Sequence, residues 1–122
     1  STKVMSKNNN NANKLTSLGY EYDKENDIYF KVNENNRIEY QTATNKLIIE
    51  KFESKNLKSI IYYRKSQSII LSHSYKDGEI ITQLKYNVPL NKMECYKENC
   101  ENYRSDINHI LKINREISTT LQ

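Results

Sequence analysis

Cys95 and Cys100 are the only cysteines in this chain, separated by Tyr96-Lys97-Glu98-Asn99. An even cysteine count in a small domain favours a disulfide, and the polar residues between the two read as a tight loop that such a bridge would close. A redox pair would need two intervening residues, and zinc would need further ligands at fixed spacing. The only histidines, His73 and His109, have no such spacing to the cysteines, so no metal site is expected. His73 stands between Ser72 and Ser74, which invites a hydrolase reading. Adjacent residues of a strand point to opposite faces, however, so neither serine becomes its close partner through local geometry. Aspartate is scarce, at Asp23, Asp27, Asp77 and Asp106, and no Gly-x-Ser-x-Gly elbow occurs. Glu50, Glu53 and Glu79 are candidates for a glycosidase-like carboxylate pair. Eleven Glu set among fifteen Lys more simply make solvated strand faces. With only Gly19 and Gly78, a glycine-rich loop that cradles phosphate is excluded. No cofactor and no catalysis are expected.

The ten tyrosines are the strongest functional hint. Tyrosine has an apolar body and a polar tip, which suits interfaces. Tyr62 and Tyr63 follow Ile60-Ile61 and precede Arg64, so both faces of one strand carry an aromatic next to a basic side chain, a composition common at binding hot spots. Ile60, Tyr62, Tyr63, Arg64, Tyr75 and Tyr86 are the candidate partner-binding residues. The competing reading is cross-strand tyrosine packing within the sheet.

These residues must be positioned by strands. Four Ile–Ile doublets, Ile48–Ile49, Ile60–Ile61, Ile69–Ile70 and Ile80–Ile81, sit in segments of alternating polarity. Each doublet places one Ile on each face of a sheet. Period-two patterning runs through Ile28–Val32, Ile38–Gln41, Leu47–Phe52, Leu57–Arg64, Ile69–Tyr75 and Ile80–Val88. Polar connectors separate the segments, and Asp77-Gly78 favours the type I′ hairpin turn. Connectors this short cannot make parallel crossovers. The even spacing reads as one strand plus one turn recurring, rather than as a sequence repeat. Pro89 ends the last strand, because it donates no ladder hydrogen bond, and residues 90–102 read as a loop.

Helical pattern appears twice. Asn13–Leu18 fits a short helix stopped at Gly19. Beyond Ser105, read as an N-cap with Asp106 at the positive helix end, Ile107, Ile110, Leu111, Ile113, Ile117 and Leu121 share one face. Asn108, Lys112, Arg115, Glu116 and Thr119 lie opposite, and His109 is expected at the surface. The fold expected is α+β: an antiparallel meander of about six to seven strands with the C-terminal amphipathic helix on one face. A mainly-β sandwich or half-barrel is the alternative, because the doublets leave the second face apolar as well. Residues 1–13, with four consecutive Asn, are a polar leader by composition. Residues 14–122 form a single domain.

Net charge is +4, from 15 Lys and 4 Arg spread among the acidic residues. Nucleic-acid binders cluster their basic residues and favour Arg, so nucleic acid is not the expected partner. No apolar run approaches the roughly 18 residues that span a bilayer. The cysteine pair and the polar leader together suggest a non-enzymatic, exported protein-binding module of the bacterial periplasm or outer envelope, tethered to the membrane through the N-terminus if lipidated. Its role would be assembly or adhesion, or inhibition of a cognate protein in the manner of an immunity protein. The alternative from another class is a small cytosolic nucleic-acid binder. Thiol titration of the unfolded, unreduced protein is expected to find no free thiol; two thiols in fresh material would remove the main support for export.

Overall fold

Every connector in the strand region is too short to cross the sheet, so each strand pairs with its sequence neighbours. The computed structural model describes residues 13–97, 100–101 and 103–122, which leaves all but Asn13 of the expected leader outside the described residues. Eight strands follow one another: β1 (Glu21–Asp23), β2 (Ile28–Asn33), β3 (Asn36–Gln41), β4 (Lys46–Glu53), β5 (Asn56–Arg64), β6 (Ile69–Lys76), β7 (Glu79–Asn87) and β8 (Lys92–Lys97). They form one antiparallel sheet in sequence order. A single long helix, α1 (Tyr103–Leu121), follows. The architecture is the α+β meander that the pattern predicts, and β1 does not pair with β8, so the sheet is open. The two edge strands were not legible. β1 is three residues long, and β8 occupies the stretch read as a loop.

Two connector lengths alternate along the chain. Two-residue turns, Glu34-Asn35, Ser54-Lys55 and Asp77-Gly78, lie at one end of the sheet, and four-residue loops lie at the other. Ser54 and Lys55 both have positive φ, as do Asp77 and Gly78, the backbone of a type I′ turn. Each four-residue loop ends on a residue in the left-handed region: Asp27, Asn45, Ser68 and Asn91. Asp and Asn tolerate that conformation better than other non-glycine residues. Five positions before each of them stands a tyrosine: Tyr22, Tyr40, Tyr63 and Tyr86. The Tyr22 hydroxyl donates to Asp27 Oδ1 at 2.8 Å, and the Tyr86 hydroxyl donates to Asn91 Oδ1. Successive loops also bond to each other. Lys65 N–H donates to the Asn45 carbonyl at 3.3 Å, and Val88 N–H to the Ser68 carbonyl at 3.0 Å. The spacing that reads as simple recurrence is therefore a repeat, a tyrosine followed by a left-handed corner, stacked along one rim.

Register carries those tyrosines across one face. Tyr22, Tyr29, Tyr40, Leu47, Tyr63, Ile70, Tyr86 and Met93 are directly opposed from strand to strand. The Tyr29 and Tyr40 rings stack at 6.4 Å between centroids. A second row on the same face runs through Ile38, Ile49, Ile61, Ser72 and Leu84. This is the buried face. Leu47, Ile49, Ile61 and Ile70 are sealed from solvent there, with Leu15 and Tyr20 from the N-terminal segment in the same core. That segment makes one helical turn over residues 13–16 and breaks at Gly19, whose φ is +94°.

α1 covers this face. Ile107, Ile110 and Ile117 are buried, and Leu111, Ile113 and Leu121 pack against the core. β-Branched residues are mediocre helix formers, so α1 depends on this packing more than on propensity. The helix begins at Tyr103 rather than after Ser105, which places Ser105 in its first turn. Asp106 is held there by an ion pair, Lys51 Nζ to Asp106 Oδ1 at 2.8 Å. Farther along, Lys65 Nζ donates to Ser118 Oγ at 3.3 Å. His109 is half-buried rather than a surface residue. Cys95 in β8 is bonded to Cys100, with Cα atoms 6.2 Å apart. Cys100 is buried in the core while Cys95 is exposed, so the bridge fastens the entry to α1 onto the last strand.

The doublets report this one-sided cover. In the first three, the inward Ile is buried and its neighbour half-buried. Ile80–Ile81 departs because the β6–β7 register shifts after Ser74, pairing Tyr75 with Ile80 and leaving Ile81 as an extra residue. Ile61 is fully buried, so Ile61→Ala is expected to cost about 2–5 kcal/mol. Ile60 is only half-buried, and Ile60→Ala is expected to cost less, about 1 kcal/mol. Urea denaturation of the two variants checks the difference; equal large losses would mean that both faces are covered.

Candidate functional site

Among the described residues, two surfaces remain after α1 has closed the core. The first is the outer face of the sheet. Ile48, Tyr62 and Leu71 are opposed across β4, β5 and β6, with Glu39 on one side and Lys85 on the other. Ile60 and Ile69 flank this row, Ile60 opposite His73 and Ile69 opposite Arg64. No described helix or strand lies over these side chains, yet all the apolar ones are half-buried by their own neighbours. Tyr62 is the centre. Lys46 Nζ sits 4.9 Å from its ring centroid, a cation–π contact, and the His73 ring meets it edge-on at 6.0 Å.

Charges border that apolar row. Arg37 Nη1 donates to Glu39 Oε1 at 2.7 Å and lies 3.7 Å from Glu50 Oε1. Gln41 Nε2 donates to Glu39 Oε2 at 2.6 Å. Burial pushes the Glu39 carboxyl up, but the Arg37 and Gln41 hydrogen bonds outweigh it and hold the group below its ordinary range. It therefore stays ionised at neutral pH. An apolar centre inside a polar rim is the general anatomy of a protein contact surface.

The second surface is an open cleft of about 680 Å³ at the two-residue-turn end, between the first turn of α1 and the sheet. Its floor is a set of hydroxyls on adjacent strands. Ser59, Ser74 and Thr82 are directly opposed on β5, β6 and β7, and Ser72 lies one row deeper, beside Leu84. Ser105 and Asp106 of α1 form one wall, and Phe52 and Tyr75 contribute aromatic surface. Lys58 and Ile81 also line the cleft, and both are the extra residues of β-bulges.

The candidate partner-binding residues do not gather in one place. Ile60, Tyr62 and Arg64 share the outer face of β5. Tyr63 and Tyr86 point inward and are only 8% and 6% exposed. Tyr75 lies at the cleft. Half of the ten tyrosines are core residues: Tyr20, Tyr29, Tyr40, Tyr63 and Tyr86. Burial, with a smaller contribution from Glu116, raises the Tyr20 hydroxyl to about 12, so it remains a neutral hydroxyl. His73 and its flanking serines lie on opposite faces, as strand geometry requires. Glu50 borders the outer face while Glu53 lines the cleft, so these two do not form a carboxylate pair. Ile48, Leu71 and the cleft hydroxyls were missed by sequence reasoning. The signal that could have found the cleft is Ser59 and Ser72 at inward positions of an otherwise apolar alternation.

Among the described residues, no group of three or more His, Cys, Asp or Glu is placed to hold a metal ion, and no helix is long and apolar enough to cross a membrane. No family model, curated protein or solved structure matches this chain.

Both histidines are pushed below their ordinary range. Burial lowers His73; burial first, and then Lys51, lowers His109, against the opposing pull of Asp106 and Glu116. The native state thus favours neutral imidazole, and the unfolded chain binds protons more readily. The stability that this supplies is complete above the unfolded value of about 6.5 and is lost as pH falls through the lower native values. The urea midpoint is therefore expected to drop between about pH 7.5 and about pH 5.5, and to drop less in a His73→Gln/His109→Gln variant. A midpoint that rises over this range would contradict the assignment.

Proposed function

We propose that this chain is a non-enzymatic protein-binding module, and that the outer face centred on Tyr62 is its contact surface. The observation that carries this reading is the doublet asymmetry. The sequence supplies apolar side chains to both faces of the sheet, and α1 covers one of them. Ile48, Ile60, Tyr62, Ile69 and Leu71 are left as a contiguous apolar centre on the other. An aromatic held rigidly between a cation and a histidine costs little further ordering when a partner arrives.

The disulfide Cys95–Cys100 supports a location outside the reducing cytosol, and so an exported module of the bacterial envelope. Within that setting the surface suits an assembly or adhesion component, or an inhibitor of a cognate protein. Nucleic acid is disfavoured because acidic Glu39 and Glu50 border the same surface, where phosphates would have to pass.

A photo-crosslinking aromatic at position 62, expressed in the native host, tests this. It is expected to give a discrete protein adduct that Ile60→Ala weakens. The same group at position 115, on the exposed side of α1, is expected to give no such adduct. Equal labelling from both positions, or an adduct to nucleic acid, would sink the proposal.

A further inference from the structure

We propose that the cleft beneath the first turn of α1 binds a neutral saccharide unit, with the hydroxyls of Ser59 and Ser72 as its deepest contacts. This goes beyond the protein-binding reading and concerns the opposite side of the sheet. Ser59 and Ser72 are 5% and 2% exposed, as buried as the Ile residues around them. Neither hydroxyl has a hydrogen-bond partner among the described residues. No fully sealed side-chain nitrogen or oxygen there lacks a partner. Both hydroxyls must therefore reach the cleft, which they line. A hydroxyl that is open only to the cleft takes its hydrogen-bond partners from whatever fills the cleft, water or ligand. Ser72, moreover, takes a place between Ile61 and Leu84 where a larger apolar residue would fill the space. Small hydroxyls at these positions both open the cleft and leave unused hydrogen-bonding capacity at its base.

The ligand's chemistry follows from what surrounds those hydroxyls. A cation or anion would need an uncompensated charge. Lys51 is engaged by Asp106 at 2.8 Å, and Lys58 by Glu53 at 3.0 Å. Glu101 also lines the cleft and has no ion pair among the described residues; its carboxylate disfavours an anion and can accept from a sugar hydroxyl. The other groups are neutral donors and acceptors: the hydroxyls of Ser74, Thr82 and Ser105 and the amides of Asn35 and Asn36. A serine or threonine hydroxyl both donates and accepts, as a sugar hydroxyl does. Phe52 and Tyr75 offer ring faces whose negative quadrupole suits the C–H face of a pyranose. The volume lies within the range of small-ligand sites, and the open mouth allows the unit to belong to a longer glycan.

Heteronuclear NMR titration of the intact chain with glucose, galactose, N-acetylglucosamine and chitobiose tests the assignment. Saturable shifts at the Ser59, Ser74, Thr82 and Asp106 amides are expected with at least one of them, with a dissociation constant on the order of 1 mM or tighter. A Ser59→Ala/Ser72→Ala variant is expected to keep or raise its urea midpoint while losing at least tenfold in affinity. Should that variant fail to fold, the half-buried Ser74→Ala carries the same comparison. The proposal is overturned by the absence of saturable shifts across the panel. It is equally overturned by shifts at these amides with inorganic phosphate alone, which would mark an anion site, or by undiminished binding in the folded serine variant. None of these outcomes bears on crosslinking from position 62, so the two readings fail separately.

Discussion

The contact between α1 and one face of the sheet governs the rest of this molecule. An open antiparallel sheet with apolar residues on both sides is unstable in water until something covers it. Among the described residues there is one long amphipathic helix, and it lies over Leu47, Ile49, Ile61 and Ile70. Because α1 is rich in β-branched Ile, it forms only where it packs, and because it packs, the sheet has an inside. Three polar or covalent links hold the helix in place along its length. These are the Cys95–Cys100 bridge at its entry, the Lys51–Asp106 pair in its first turn and the Lys65–Ser118 hydrogen bond near its end. The ion pair is about three-quarters buried on both sides. Its removal from one side would leave an uncompensated charge, which is costlier than the pair itself is stabilising.

The stacked rim supplies what a single helix cannot. An eight-stranded meander is held by neighbour-to-neighbour pairing, like a short repeat array in which each unit touches only the next. Its tendency to twist and slip is opposed at the loop end. The tyrosine row packs under the corners, and two of the loops donate to the carbonyl of the corner residue before them, Lys65 N–H to Asn45 and Val88 N–H to Ser68. Tyr22 and Tyr86 also bond their own corner residues. Tyrosine suits this place because its ring fills the core edge while its hydroxyl reaches the polar rim. Much of the tyrosine excess is thus accounted for by the repeat and not by binding.

Most of the fold was legible because it rests on period. Alternation marked six strands, the short connectors required antiparallel pairing, and the shared helical face of Ile and Leu after Ser105 marked the helix and its buried side. The edges were hidden for a physical reason. β8 faces water over most of its length, with Tyr96 58% exposed, so no apolar alternation marks it. The bulges were hidden too, since the extra residues Lys58, Ile81 and Tyr96 break no sequence rule. Of the candidate surface, Ile60, Tyr62 and Arg64 were readable from one strand. Parity alone could not say that Tyr63, next in line, is the inward residue, because both faces of β5 are apolar. Ile48 and Leu71 join the surface only through register.

Those bulges connect the fold to its second surface. A bulge adds twist and redirects the strand, and Lys58 and Ile81 sit at the same place in successive hairpins, three positions beyond their two-residue turns. At this end the sheet's inner face changes from Ile and Leu to Ser59, Ser74 and Thr82, so part of the first turn of the helix faces hydroxyls in place of a continuous apolar surface. Farther along the helix, Ile110 and Ile117 are buried in the core that includes Tyr29, Tyr40, Tyr63 and Tyr86. The same helix therefore closes the core along most of its length and leaves an opening at its first turn. Side-chain size along each strand sets the boundary between the two. The turn end thereby carries polar groups that a continuous apolar core would not tolerate.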